Sequence, residues 1–447
     1  GAMASGAVVG AVAAGLYSGI NSFLDAAAFA TLVFAPAALP LDVGIQHALL
    51  GYMLMQFVVT RMSAAKNMIT PVSYEVIPFL AKFAAFISKT VAEEGRPSSE
   101  ALSTVLVGSS LVSVAAAALF ACASLLPVQG GVAKMLPPPM QAGLFASIGY
   151  GLYELSFETL SLSPPLDMAA DGTLFGWDAV QLWGAAHAIG FALWLASRKT
   201  SHPALFPVFV VGITVCVHAV CAATGTSLAA ARENGWMMAA TEGRPFWTLL
   251  EARQFSKARF DLICRPEALR ELVCAVLFGP VVNTLLNLLL IAPVVGEKEM
   301  QIGLELRAHA TGSLILGAAG GYSNYVAISN TAIHIKCGGV SRLSCWFAAL
   351  VSALFLLVHP LFALVGYVPT LVVAATCVYI GVDFLFDNLA LPLVSFDLGA
   401  AAVSWAVFLL CQQVGVLVGV IISIILGQVY AVLTSGKTKT KEAIKAE

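Results

Sequence analysis

The sequence predicts an all-α, polytopic membrane protein, and composition and apolar segmentation both support this fold class. Hydrophobic residues make up 59% of the 447 residues, charged residues only 11%, and the mean hydropathy is +0.89. Soluble domains carry about 25% charged residues, so the composition excludes an ordinary soluble fold. A helical span needs ~20 apolar residues, and the chain contains about 14 apolar stretches that suit such spans.

The apolar stretches follow one another at short intervals and divide into two sets of seven. The first set covers 6–34, 42–60, 71–90, 99–126, 138–160, 174–197 and 203–224. The second set covers 268–294, 305–321, 326–337, 341–360, 362–386, 394–411 and 413–434. We therefore predict a first repeat over 1–224 and a second repeat over 268–434. A surface connection over 225–267 joins them, and a basic tail covers 435–447.

The third stretch of each set is interrupted. In the first set it begins abruptly at Thr70-Pro71, and in the second it is a short run after Gly320-Gly321-Tyr322-Ser323. Pro71 suits the first turn of a helix, where a backbone N–H has no partner in any case. Interrupted spans at matching positions of two halves indicate an inverted-repeat transporter with its substrate site at the breaks.

The basic residues predict the orientation of the spans. Lysine and arginine follow spans 2, 4, 6, 8 and 10 and fill the tail, whereas outer connections are acidic, as at Glu93-Glu94. The positive-inside rule then places both termini in the cytoplasm, although the sequence does not identify the membrane. The connection 225–267 mixes both charges, which predicts an amphipathic surface helix, with a loop cap as the alternative.

Enzyme and metal motifs are absent from the sequence. No Walker loop, dinucleotide fingerprint, nucleophile elbow or zinc motif occurs, and no pair of the nine cysteines has metal-knuckle or redox spacing. His187, His218, His309 and His334 lie in or near spans without ligand spacing, which favours packing roles. We expect a protein that is not an enzyme, with no metal, no nucleic-acid partner and no cofactor beyond a coupling H⁺ or Na⁺.

Span 1 carries a polar stripe inside an apolar run. Ser18, Asn21, Ser22 and Asp25 have spacings of i, i+3, i+4 and i+7, which place them along one side of a helix. A carboxylate near mid-membrane costs roughly 2.5–3.5 kcal/mol, so such a group persists where it faces a cavity or partner. We predict a pathway-lining helix with Asp25 as coupling group. The alternative is an Asp25 that is solvated at the outer interface.

The start of span 3 adds Ser73, Tyr74 and Glu75. If this helix begins within the membrane, its free N–H groups form a positive end directed at the substrate. Ser73 and Tyr74 are then substrate ligands and Glu75 is a second coupling group. The alternative is that Glu75 only stabilises the first helical turn.

Spans 8 and 10 supply the remaining candidate ligands. Asn283 and Asn287 share a face of span 8, and Ser329, Asn330 and Thr331 open span 10. Buried amides also serve as helix-packing contacts, so each residue alone fits either role. Their joint placement with the residues of spans 1 and 3 predicts one substrate site.

A run of spaced residues across spans 9 to 11 resembles the SulP family of sulfate-permease-type anion transporters. These residues are Glu305-Leu306, Gly312, Gly320-Gly321, Ser329, Gly338-Gly339 and Ser341-Arg342. The resemblance implies a seven-plus-seven inverted repeat whose core domain moves against a gate domain like an elevator. It also implies a homodimer and a cytoplasmic STAS domain, which we expect to be absent from this chain.

The sequence departs from the family at two positions. Many anion-carrying members have a basic residue after the serine that begins span 10, where this chain has Asn330. Cation-coupled members carry an acid on span 8, where this chain has Asn283. The acids stand instead at Asp25 and Glu75, a distribution similar to that of a divergent branch with fungal vacuolar transporters of basic amino acids.

These observations predict a secondary transporter in the bilayer that moves a small anion of the sulfate or bicarbonate class, coupled to a proton or sodium ion. The alternative substrate is a basic or neutral amino acid carried with protons. An alternative of another class is a channel or a motor-like membrane protein that does not transport.

Overall fold

The computed structural model describes residues 2–125, 137–200, 205–238 and 243–414, with five positions between 418 and 425. These residues are almost wholly helical and contain no β-strand beyond two isolated bridges. Six of the described helices are long and apolar enough to cross a membrane, or seven if one bent pair counts as a span. The predicted all-α membrane fold is confirmed, and the described helices are consistent with fourteen spans without establishing that count.

The described residues of the first part of the chain form eight helices. They are α1 (Ala2–Val33), α2 (Leu41–Met62), α3 (Ile77–Glu93), α4 (Ser98–Ser124), α5 (Pro138–Thr159), α6 (Pro165–Ala170), α7 (Trp177–Lys199) and α8 (Leu205–Thr224). A 3₁₀ turn over Tyr74–Val76 precedes α3. Three short helices follow in the described part of the connection, α9 (Leu228–Glu233), α10 (Trp247–Ala252) and α11 (Phe260–Ile263).

The second part repeats the pattern of long and short helices. Its helices are α12 (Pro266–Val276), α13 (Thr284–Leu290), α14 (Ala292–Val295), α15 (Ile302–Ala319), α16 (Ile328–Lys336), α17 (Arg342–Leu357), α18 (Thr370–Leu385), α19 (Pro392–Ser395) and α20 (Leu398–Val414). A π turn over Leu277–Asn283 joins α12 to α13. The predicted span 14 lies almost entirely outside the described residues, as does the tail over 435–447.

Small residues let the central helices approach closely. Helix α1 packs on α17 and α2, and α4 packs on α15. A Cβ added at Gly15 would lie 2.3 Å from the Phe347 Cβ, and one at Gly19 would lie 2.4 Å from the Val351 Cβ. Glycine at these positions allows the backbones of α1 and α17 to meet, as in other packed membrane helices.

Two boundaries differ from the sequence prediction. Pro71 does not open a helix, because the chain stays extended to Ser73 and Pro78 takes the first-turn position of α3. The predicted span 362–386 begins later, at Thr370, because residues His359–Tyr367 form a 3₁₀ helix bent by 87° from α17. Hydropathy does not detect the second change, since the 3₁₀ segment is as apolar as the helices beside it.

The connection 225–267 forms a cap, not a long amphipathic helix, over its described residues. Arg244 binds Asp42 at the start of α2 through two hydrogen bonds of 2.5 and 2.8 Å. Arg253 donates to the carbonyl oxygens of residues 317 and 318 at the end of α15, where cations are favourable. Arg259 binds Glu94 beyond α3 at 2.6 Å. The cap alternative is therefore the correct one.

The described residues fall into two compact units. The first lies within 1–126 and 154–379, and the second within 127–153 and 380–447. In the second unit α5 packs on α20, where a Cβ at Gly143 would lie 2.4 Å from the Ser404 carbonyl oxygen. All candidate site residues lie in the first unit. The division into inverted repeats stays a prediction, as does the cytoplasmic placement of the termini.

Candidate functional site at the interrupted helices

The two interrupted spans meet through their extended segments. Val72, ahead of α3, forms an antiparallel bridge with Asn324, ahead of α16. The Asn324 amide donates to the Thr70 carbonyl at 3.2 Å, and the Tyr322 hydroxyl donates to the Ser73 carbonyl at 2.7 Å. The breaks predicted from the glycine and proline pattern are present, and each is followed by a short helix.

Buried side chains hold the first extended segment in place. Gln56 of α2 accepts from the Thr70 N–H at 2.9 Å and donates to the Met68 carbonyl at 2.9 Å. Thr331 of α16 accepts from the Ile69 N–H at 3.1 Å. Backbone groups that leave a helix inside a membrane need such partners, since lipid provides none. Gln56 was not singled out from the sequence, although a buried amide within an apolar run is a usable signal.

Asp25 lies in the interior of the protein. Its side chain accepts from the Tyr74 hydroxyl at 3.1 Å and from the Asn21 amide at 2.9 Å. Asp25 is buried, which contradicts the alternative of a solvated residue at the interface. Within the described part of the chain, no lysine, arginine or histidine forms an ion pair with it. Its contacts therefore join α1 to the start of α3 through neutral donors.

Glu75 occupies the 3₁₀ turn that leads into α3. Its carboxylate accepts a hydrogen bond from the Tyr325 hydroxyl, and the Ser73 hydroxyl lies 3.5 Å away. Tyr325 belongs to the extended segment ahead of α16, so the carboxylate lies between the two interrupted spans. Tyr74 and Glu75 are adjacent in one turn, so this turn bonds the buried Asp25 through Tyr74 and carries the partly buried Glu75 itself.

The predicted stripe on α1 divides between two neighbours. Ser18 and Ser22 face the second half of the chain, where their hydroxyls contact His334 Nδ1 at 2.8 Å and the Ser352 hydroxyl at 2.6 Å. Asp25 instead contacts Tyr74, and Asn21 donates to Asp25. The structure brings Asn21, Asp25, Ser73, Tyr74 and Glu75 together, while Ser18 and Ser22 hold helices to each other; a substrate role for the two serines stays a prediction.

The two asparagines of span 8 bind backbone groups at a break of their own. Asn283 ends the π turn and donates to the Phe278 carbonyl at 3.0 Å. Asn287 donates to the Asn283 carbonyl at 2.8 Å and accepts from the Ile328 N–H at 3.1 Å. Because Ile328 is the first residue of α16, Asn287 ties span 8 to the start of span 10.

The predicted ligands at the start of α16 differ in surroundings. Thr331 is fully buried and binds the Ile69 N–H, so its hydroxyl anchors the opposite segment. Asn330 is partly exposed. The side chain of Ser329 lies outside the described part of the structure. These contacts do not show whether the three residues bind substrate, so their assignment as substrate ligands stays a prediction.

Sequence reasoning missed the tyrosine hydroxyls and the role of the motif acid. Tyr322 and Tyr325 belong to the polar run 322–325 that follows Gly320-Gly321. The sequence alone assigned no partners to their hydroxyls. Glu305 is fully buried and accepts from the Ser63 hydroxyl at 3.0 Å and the Ala64 N–H at 2.9 Å. Arg342 donates to the Ser63 carbonyl at 2.7 Å. The motif residues thus fix the corner where α2 ends and the extended segment begins.

The described residues contain no group of three histidine, cysteine or acidic side chains close enough to hold a metal ion. His309 and His334 are packing residues, as predicted. His309 contacts the Glu305 carbonyl at 2.8 Å and the Val326 N–H at 3.3 Å. His334 lies between the hydroxyls of Ser18 and Ser344, both at 2.8 Å. The site therefore offers carboxylates, hydroxyls, amides and helix N-termini.

The sequence family described as the sulfate permease family matches residues 8–403 of the chain. No curated protein shows a significant sequence match to it. The structure is similar to the transmembrane domain of BicA, a cyanobacterium bicarbonate transporter, with a TM-score of 0.61 and 17% identity over 94% of this chain and 96% of that chain.

Two further solved structures share the fold. The overall structure of SLC26A9 gives a TM-score of 0.69 at 14% identity over 96% of this chain and 66% of that chain. The murine Slc26a9 anion transporter in the inward-facing state gives 0.63 at 14% identity over 96% of this chain and 68% of that chain. The chain thus spans about two thirds of the SLC26A9 chain. The fungal amino acid branch finds no support in these comparisons.

Proposed function

Because this chain belongs to the sulfate permease family, we propose that it is a secondary transporter of a small anion of the sulfate or bicarbonate class. In this proposal a proton or sodium ion is coupled to the anion, and access alternates by an elevator-like movement. The similar solved structures named for bicarbonate and anion transport support the substrate class. The coupling and the movement are our extension of that likeness.

The observation that carries the proposal is the meeting of two interrupted helices beside two acids, the buried Asp25 and the partly buried Glu75. Tyr74 of the turn ahead of α3 binds Asp25, and Tyr325 of the segment ahead of α16 binds Glu75, so each carboxyl is bonded to a tyrosine at one of the two breaks. Helix N-termini attract anions. Intramembrane acids mark ion and proton pathways. The breaks therefore combine helix N-termini, which attract anions, with carboxyl groups that are able to take up a cation.

Electrostatics favours cotransport over uncoupled anion binding. A helix N-terminus stabilises an anion by about 0.3–2 kcal/mol. An ionised carboxylate about 4 Å from the anion opposes it by about 4 kcal/mol at an effective dielectric constant of 20. No basic side chain forms an ion pair with Asp25 or Glu75 within the described residues, so protein cations do not cancel this repulsion. A proton or sodium ion that arrives with the substrate removes it.

The proposal is tested by transport in proteoliposomes. Purified protein is reconstituted, and uptake of labelled sulfate and bicarbonate is measured with an inward proton gradient, an inward sodium gradient or neither. We expect saturable uptake that one of the gradients drives, and counterflow of the same anion without any gradient. Failure of both anions to enter under every gradient, from protein that is folded by its thermal transition, contradicts the proposal.

The same vesicles test the alternatives. Asp25 and Glu75, which have no ion-pair partner within the described structure, also suit a cationic substrate, so arginine and lysine are included. Saturable uptake of either amino acid in place of the anions favours the alternative substrate class. Voltage-dependent charge movement without flux indicates a motor-like protein. Homodimer formation remains part of the proposal and is tested by the mass of the purified protein in detergent.

A further inference from the structure

Glu75 lies where the protein attracts a negative charge. It belongs to the 3₁₀ turn that leads into α3, and its carboxylate accepts a hydrogen bond from Tyr325 of the opposite interrupted span. A substrate anion drawn to these helix starts would need the same neighbours. The protein therefore already holds an anion of its own, carried by a side chain, close to the place proposed for the substrate.

The groups that face Glu75 supply hydrogen bonds but no positive side chain. Tyr325 donates to it, Tyr322 binds the neighbouring Ser73 carbonyl, and Tyr74 leads from the same turn to Asp25. Helix α12 also packs on this turn and carries Arg270 and Glu271, which are bonded to each other at 3.0 Å. Within the described chain no lysine, arginine or histidine forms an ion pair with Glu75. Hydroxyl donors and the helix end are thus its only stabilising partners there.

We infer that the Glu75 carboxylate is a built-in competitor of the transported anion, and that the anion binds only after this carboxylate is protonated or withdrawn from Tyr325. This inference rests on the proposed function and assigns Glu75 a role in selecting the substrate charge. The position after Ser329, Asn330, lacks the basic residue that could hold a second anion beside an ionised glutamate. The two negative charges then exclude each other.

The competition has a measurable signature. Ionised Glu75 blocks the anion, so the dissociation constant of the anion rises with pH by up to tenfold per pH unit through this residue alone. Asp25 adds its own dependence under the proposed coupling. Removal of the Glu75 charge takes away the part of the pH dependence that is due to Glu75. The part that is due to Asp25 remains. The slope of log Kd against pH is therefore the quantity that isolates Glu75.

The experiment compares sulfate and bicarbonate binding to purified wild-type, Glu75→Gln and Glu75→Asp proteins between pH 5.5 and pH 8.5. We expect Glu75→Gln to lower the slope by up to one and to tighten binding at pH 8.5 at least tenfold. Glu75→Asp keeps the charge and is expected to keep the slope. The matched control is Glu267→Gln, which removes an exposed first-turn acid of α12 and is expected to change neither quantity.

Three outcomes decide the matter. Anion binding by Glu75→Gln with an unchanged slope, or weaker binding than wild type at pH 8.5, overturns the competitor role and leaves the transporter proposal standing. Absence of binding of both anions to all variants at every pH overturns the proposed function and the competitor role together. Thermal transitions of the variants show whether weak binding reflects a loss of folding.

Discussion

Replacement of Gly51 by alanine tests whether close contact between α2 and the second extended segment supports the site. A Cβ at Gly51 would lie 2.3 Å from the Tyr322 carbonyl oxygen and 2.8 Å from the Asn324 Oδ1. Ordinary contact begins at 3.4 Å, so the segment must retreat by about 1.1 Å from the first of these atoms. The obstructing atoms belong to the backbone and to a short side chain, which leaves no flexible group to move aside.

The cost follows from that displacement. Insertion of a methyl group into a packed core costs about 1–3 kcal/mol. The retreat also breaks the hydrogen bonds from Tyr322 to Ser73 and from Asn324 to Thr70, each worth a further 0.5–1.5 kcal/mol, roughly. We expect Gly51→Ala to lower the free energy of unfolding by about 2–6 kcal/mol. A 1 Å displacement of site residues can reduce activity by about 100-fold.

The assay pairs thermal unfolding in detergent with uptake into vesicles. The control is Gly212→Ala in α8, where an added Cβ meets no atom within 4 Å. At that position alanine is expected to be neutral or to stabilise by about 0.5–1 kcal/mol. Equal stability and equal uptake for the two variants refute the reasoning, because the contact at Gly51 would then be unimportant for the interrupted helices.

Three further predictions concern charge. Asp25→Asn keeps an oxygen acceptor for Tyr74 and should abolish gradient-driven uptake but spare counterflow and folding; undiminished uptake with a gradient contradicts its coupling role. Asn330→Arg should tighten anion binding by about tenfold, equivalent to about 1.4 kcal/mol, and unchanged affinity in a titration argues against the site. In the cap, two hydrogen bonds from Arg259 hold the pKa of Asp261 below its ordinary value of 3.8. The pair therefore stabilises the folded state above pH 3.8, and this stabilisation is lost as the pH falls through the lowered pKa of Asp261. Asp261 is largely exposed, so the free energies of unfolding of wild type and Asp261→Asn should differ by only about 0.2–1 kcal/mol at pH 7. The two values should converge at lower pH. A difference that grows as the pH falls contradicts the prediction.

The broken spans could be predicted from the sequence because glycine and proline interrupt apolar runs at matching positions. The hydrogen-bond partners at the breaks could not be predicted from it. Pro71 and Pro78 both suit a first helical turn, and the choice between them depends on the bridge from Val72 to Asn324. That bridge joins residues far apart in the chain, and local propensity carries no information about it.

The stripe on α1 shows the limit of helical periodicity. Ser18 and Ser22 form one i, i+4 row, and Asn21 and Asp25 form another that is rotated by about 60°. The rotation is small enough for the four residues to share a side of the helix. It is also large enough for the rows to contact different neighbours, α16 and α17 for the serines and the start of α3 for Asp25.

The close packing of α1 on α17 has a consequence for biosynthesis. The hydroxyl pair of Ser22 and Ser352 joins positions 330 residues apart. At about 5–20 residues per second, the ribosome needs roughly 16–66 s to deliver the second serine after the first. During that interval the hydroxyls of Ser18 and Ser22 lack their final neighbours, whereas Asp25 needs only Tyr74, 49 residues later. Early retention by the insertion machinery would shelter the first helix until the later helix arrives.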